Sequence, residues 1–181
     1  LWAAQPGDGS INLWLARRDA KRSDQRAAIN YYRAAIYGTW EGDGAARRRD
    51  VRMELAPYLL DRKDSSRART ELLIAGGNNP DDAALRMKIA GMLNKASDPG
   101  DALSYYEKAI SADPRNAAAL WAAGRIEYAA GKFEAAHRFL VRADHEFDAK
   151  KENKPDGLDT LLGNSQRILE LMPAKTLPVR E

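Results

Sequence analysis

Small residues return along this chain at a step of 34. Ala56, Ala90 and Gly124 form one set, Ala68, Ala102 and Ala136 a second, and Ala75, Ala109 and Ala143 a third. A fixed interval constrains the fold more than any single motif, because small side chains at constant phase mean backbones that approach closely at constant phase. Larger positions hold the same step, with Leu55, Ile89 and Ala123, then Leu72, Tyr106 and Leu140, and less regularly Leu59, Leu93 and Glu127. Pro80 and Pro114 close two units, and Asp148 occupies the equivalent point of the third. The composition suits a repeat built of helices: 32 alanines stand against 15 valines, isoleucines and threonines together, which favours helix over sheet.

Each unit divides into two helical stretches. Val51, Leu55 and Leu59, and one unit later Leu85, Ile89 and Leu93, are spaced i, i+4, i+8 and so share a helical face. Turns are predicted at 62–65, 96–100 and Gly131-Lys132, and second helices over Ala68 to Ile74, Ala102 to Ala112 and Ala135 to Phe147. Asn78-Asn79-Pro80 and Asp113-Pro114 supply stops, since proline cannot continue the hydrogen-bonded ladder. An N-terminal unit is displaced: Ala16, Ala28, Tyr32 and Ala35 fit only at a step of 40, and the six extra residues are assigned to a lengthened loop over 38–50. After Asp148, Lys150 to Lys154 reads as a polar linker. Pro155-Asp156 then starts a helix with Leu158, Leu161, Leu162, Ser165, Ile168, Leu169 and Met172 on one side, a cap with one wet face. The expected organisation is a single domain over 1–181, with repeats at about 9–42, 49–82, 83–116 and 117–150, a capping helix at about 156–172, and tails at 1–8 and 173–181.

The unit from Ala117 to Asp148 has a Leu-x-x-Ala-Gly stretch, a Gly131-Lys132-Phe133 turn, and Ala136 and Ala143 at fixed places; it resembles the tetratricopeptide repeat family. The stretch from Asp101 to Pro114 is similar to the second helix and closing proline of that family. The resemblance implies an all-α fold, a right-handed α-solenoid of about four antiparallel helix hairpins plus a C-terminal capping helix. It further implies that the first helices line a concave groove for a peptide or protein segment, without catalysis. Arg52 and Arg86 depart from the pattern, standing where the family often has a large apolar residue; Val51 and Leu85 take over one place earlier.

The family's geometry turns Met53, Met87 and Trp121, again 34 apart, towards that groove, with Leu13 in the same place in the displaced unit. Glu54, Pro57, Lys88, Gly91, Asn94, Arg125 and Tyr128 lie along the stripe. Methionine repacks easily and tryptophan offers a large contact area with a donor, which suits an adaptable surface. Two readings of the stripe stay open: a partner-binding surface, or core side chains one residue out of phase. Pro57 removes an amide donor inside the first helix of its unit and predicts a kink that frees the carbonyl of Met53. Some family grooves clamp a C-terminal carboxylate with Lys, Asn and Arg; the matching places here, Met53, Pro57, Lys88, Ala118 and Ala122, do not compose that clamp.

Catalysis finds no foothold in the residues. The chain has no Cys, which removes disulfides, thiolate metal sites and cysteine nucleophiles. His137 and His145 are eight apart, about 80° around a helix, unlike the pairs that bind zinc. The acids Asp81-Asp82 and Asp98/Asp101 sit where carboxylates cap helix starts. No catalytic residue, cofactor or metal is expected. The longest apolar stretch, Ala117 to Gly124, is far short of the roughly 18 residues that cross a bilayer. The net charge of +3 lies early, in Arg17, Arg18, Lys21, Arg22 and Arg26 and in Arg47 to Arg49, but Asp19, Asp24, Asp43 and Asp50 interrupt it. That reads as a solvated face, with nucleic acid the weakest of three partner readings. A protein or peptide segment comes first, and assembly between copies through the convex face or the helix from Leu158 to Met172 second. A chain that starts at Leu1 and lacks Cys is expected to be an exported or membrane-tethered bacterial-type domain, the cytoplasm also remaining open.

Overall fold

Short polar residues start the helices. In the computed structural model, which describes residues 6–77 and 82–172, the Asp8 carboxylate accepts from the amides of Ser10 and Ile11 at 2.7 and 2.9 Å and opens α1 (Gly9–Lys21). Asp24 opens α2 (Gln25–Tyr37) and Asp43 opens α3 (Gly44–Leu60) in the same way. Helices α4 (Ser65–Gly77) and α5 (Ala83–Lys95) follow Asp64 and Asp82, whose carboxylates accept from Arg67 N and Leu85 N. Proline leads α6 (Pro99–Ala112), where its missing amide costs nothing. Asn116 caps α7 (Ala117–Ala129); α8 (Phe133–Lys150) and α9 (Leu158–Leu171) complete nine helices, with no strand among the described residues.

The helices α1, α3, α5 and α7 end alike. Ser23, Lys63, Ser97 and Gly131 have φ of 62°, 60°, 62° and 74°, in the left-handed region. Their amides donate to Ala20, Leu60, Asn94 and Tyr128, and the amides one residue later donate to Asp19, Leu59, Leu93 and Glu127. This pair of bonds is the Schellman stop, which satisfies carbonyls that the helix end leaves free. Only one of the four is glycine.

Contacts divide the chain into two compact units, Leu1–Pro80 with Gly91–Asp98 and Asp81–Ala90 with Pro99–Glu181, the division falling within α5. In unit 1, α1 packs on α2, α2 on α3 and α3 on α4, around Ile29, Tyr32, Ile36, Leu55 and Leu59. Val51 is buried, as the shifted pattern requires, and Arg52 beside it is only 9% exposed. The Arg52 guanidinium pairs with Glu71 and lies 5.9 Å from the ring centre of Tyr37, so its charge is met while its stem fills an apolar position. The lengthened loop assigned to 38–50 is shorter than that: α3 begins at Gly44, and its 17 residues against 13 in α5 and α7 absorb much of the insertion. Arg47 to Arg49 are therefore helical. Thr39 N donates to Gly7 O and Gly9 N to Thr39 O, at 2.9 and 2.8 Å, tying the loop to the start of α1. Trp40 Nε1 donates to Ala35 O, and its ring lies so close to Gly9 that a Cβ there would come within 2.3 Å. α3 continues through the exposed Pro57 to Leu60.

In unit 2, α6 packs on α7, α7 on α8, and α9 on both α7 and α8. A Cβ on Gly124 would lie 2.8 Å from Leu140 Cδ2, so the series Ala56, Ala90, Gly124 ends in a glycine that α8 packs against closely. Glu127, at a position that is Leu in the preceding units, is buried but meets Lys132 Nζ at 3.3 Å. The linker is pinned: Lys154 Nζ reaches Asp144 at 2.6 Å and Asp148 at 2.9 Å, and α9 starts at Leu158, after a left-handed Gly157. Buried Ser165 donates to Leu162 O and accepts from His137 Nδ1 at 3.0 Å, joining α9 to α8. Among the described residues no helix is long and apolar enough to cross a membrane. Asn78-Asn79-Pro80, Asp81 and the tail at 173–181 lie outside the described residues.

The turn geometry sets one expectation. A side chain in the left-handed region costs about 1 kcal/mol, so Gly131→Ala should lower the unfolding free energy by about that much, and Lys63→Gly should raise it by up to about 1 kcal/mol. Chemical unfolding followed by circular dichroism measures both.

Candidate protein-interaction site

The stripe read from the sequence falls partly in each unit, and its residues differ in what they offer a partner. In unit 1, Leu13 is half-buried against the core and Met53 is only 7% exposed, so both spend most of their surface inside. Glu54 is engaged on both oxygens: Arg17 Nε reaches Oε1 at 2.9 Å, Arg17 Nη2 reaches Oε2 at 2.6 Å, and the buried Tyr32 hydroxyl donates to Oε1 at 2.8 Å. Three helices, α1, α2 and α3, meet in that carboxylate. The Arg17 hydrogen bonds hold the Glu54 carboxyl below its ordinary range, whereas burial, followed by Glu54 itself, pushes the Tyr32 hydroxyl up. Pro57 and Asn94 are exposed and Gly91 is half-buried.

In unit 2 the stripe stays open. Met87 on α5 and Trp121 on α7 are half-buried, with exposed Lys88 and Arg125 beside them. The Arg125 guanidinium lies 5.4 Å from the centre of the Trp121 ring, a cation over an aromatic face. Tyr128, one turn after Gly124, meets Phe133 edge to face at 5.4 Å and is held at the same end of α7. Burial raises the Tyr106 hydroxyl, and the nearby Arg125 charge opposes that rise. An aromatic face with a cation beside it can take up apolar side chains and answer a carboxylate or a backbone carbonyl. Among the described residues no three His, Asp or Glu side chains are grouped to hold a metal ion.

Arg17 and Tyr32 complete the Glu54 network although neither lies on the stripe. Arg17 had a signal, since it follows Leu13 by four residues and so shares its helical face; Tyr32 had only its place at a core position. Trp14, 62% exposed with the Arg18 guanidinium 5.7 Å from its ring, is a further surface aromatic outside the stripe.

Because the Glu54 pKa is depressed on folding, its contribution is present above the unfolded carboxylate range and is lost as pH falls through the folded value. Glu54→Gln should therefore lower the melting temperature at neutral pH, by the equivalent of about 1 kcal/mol. The gap from the parent chain should close on acidification below the usual carboxylate range. Thermal melts of both chains across that pH range test it.

Comparison with known proteins bears on the fold. The family model for the tetratricopeptide repeat matches residues 93–150. A sequence comparison with curated proteins finds no match. Among solved structures, MamA is similar with a TM-score of 0.61 at 17% identity, over 83% of this chain and 84% of its own. PilF of Pseudomonas aeruginosa gives a TM-score of 0.57 at 15% identity, over 93% of this chain and 72% of its own. YrrB, a tetratricopeptide repeat protein with an unusual peptide-binding site, gives 0.61 at 17% identity, over 92% of this chain and 78% of its own. At such identities the likeness is one of fold, the all-α solenoid. The tetratricopeptide repeat match thus covers residues 93–150, and over the chain as a whole the likeness to these solved structures is the shared helical fold.

Proposed function

We propose that the chain is a non-catalytic interaction module that holds a peptide or protein segment against the first helices of its repeats. The observation that carries this reading is the half-buried pair Met87 and Trp121, at equivalent places one repeat apart, with Arg125 over the indole and Lys88 alongside. Tyr128 extends that surface. In unit 1 the matching residues act chiefly as a frame: Leu13 and Met53 hold the helices and Glu54 fixes α1 to α3, while Pro57 and Asn94 stay exposed and Gly91 half-buried. The peptide-binding site of the similarly folded YrrB supports the same class of partner. The helices form before a partner arrives, so binding does not have to order them, which favours affinity.

Capture from a native lysate, read by mass spectrometry, tests the proposal with Trp121→Ala and Met87→Glu beside the parent chain. A partner retained by the parent and lost from both variants, with helicity unchanged, is the expected result; an aromatic anchor of this kind is worth about 2 kcal/mol. Equal capture by all three would move the binding surface elsewhere, and loss of helicity would make the two residues core.

A second reading, assembly between copies through α9, draws on Leu171, which is 85% exposed beside the exposed Met172. On that reading the mass seen by light scattering rises with concentration, and Leu171→Asp returns it to that of one chain.

A further inference from the structure

Ion pairing in unit 1 leaves a remainder. Asp8, Asp24 and Asp43 serve helix starts, while Asp19, Glu54, Asp64 and Glu71 are taken by Arg18, Arg17, Arg67 and Arg52. Residues 1–80 carry 14 basic and 10 acidic side chains, an excess of +4 where the whole chain has +3. Among the described residues no hydrogen-bond or ion-pair partner meets Arg26 or Arg33, both exposed on α2. Seven residues apart, they lie within about 20° of each other around the helix and about 10 Å apart along it.

Both line a cleft of about 300 Å³ between α2 and α4, together with Asn30, Arg67 and, as its floor, the buried Ile29. A smaller recess of about 100 Å³ shares Ile29, Arg33 and Arg67 and reaches the core leucines Leu55 and Leu59. Glu71 also borders that recess, but Arg52 holds it. The cleft thus has a cationic rim and an apolar floor.

We infer that this α2–α4 cleft of unit 1 docks an acidic protein segment, one apolar side chain entering against Ile29 while carboxylates on either side meet Arg26 and Arg33. Guanidinium groups suit this work because they present paired donors to a carboxylate and are weakly hydrated. The excess positive charge of unit 1 draws acidic segments towards it. A nucleic-acid backbone would satisfy the same arginines but has no aliphatic side chain for the recess, which is why the chemistry points to protein. This surface lies on second helices and is separate from the stripe on the first.

Fluorescence anisotropy with a short labelled peptide, one leucine flanked on each side by paired glutamates, tests the inference on the full chain. The expected result is binding that weakens at least about tenfold in the double variant Arg26→Gln, Arg33→Gln, whose exposed positions leave the fold intact by circular dichroism. Replacing the peptide's leucine by serine should weaken it too, and Trp121→Ala should leave it unchanged. The inference is overturned if the parent does not bind the peptide, or if the double variant binds as the parent does. It also fails if the serine peptide, or an oligothymidylate of matched charge, binds equally well.

Discussion

Everything in this chain hangs on how its first helices stop. Four times a residue turns into the left-handed region and two amides fold back onto the end of the helix just completed. The chain then leaves in a set direction after a set number of residues, and the next helix starts on a carboxylate, a lysine or a proline close by. The 34-residue period in the sequence is the trace of that stop, and the alanine sets are its consequence, since helices placed this way come near each other at fixed points. In the third repeat the small position is Gly124, where a Cβ would press on the Leu140 side chain. Serine and lysine occupy three of the four left-handed positions at some cost in strain, so the geometry is enforced by the helices on both sides and not by the turn residue alone.

Charge is distributed by the same economy. Many of the carboxylates in unit 1 serve helix starts or pair with arginines, Glu54 and Glu71 with arginines of other helices and Asp19 and Asp64 with arginines close by in sequence. Two charged residues at core positions each bring a partner: Arg52 pairs with Glu71, and Glu127 with Lys132 from the turn after its helix. Glu54 is the clearest case, one side chain serving three helices. What remains, arginines without acids and aromatic rings with cations above them, is the material from which a binding surface can be made.

Much of this was legible before any coordinates. The hairpins, their turns and the terminal helix follow from periodicity, because small residues and helix stops are read directly from spacing. The insertion after the first hairpin was read too long, since Gly42, Asp43 and Gly44 look like loop while Asp43 is in fact the cap of α3. The stripe was only half legible. Phase places Met53 and Met87 alike, yet Met53 is buried in a unit where α1 and α3 are drawn together by Arg17 and Glu54, 37 residues apart in sequence. Nothing local to either residue announces that pairing. Arg26 and Arg33 read as a solvated face for the same reason, since the cleft they border comes into being only when α4 is laid beside α2.

The bond pair between Gly7, Gly9 and Thr39, with the Trp40 indole against Gly9, has a mechanical consequence. Helices usually fray from their free ends, but α1 cannot unwind from its beginning until two backbone bonds break and an aromatic ring is lifted away. Thr39, just beyond the far end of α2, is thereby joined to the residues that lead into the first turn of α1. The first hairpin is therefore closed at both ends, by the bridge to Thr39 at one and by the turn at Ser23 at the other.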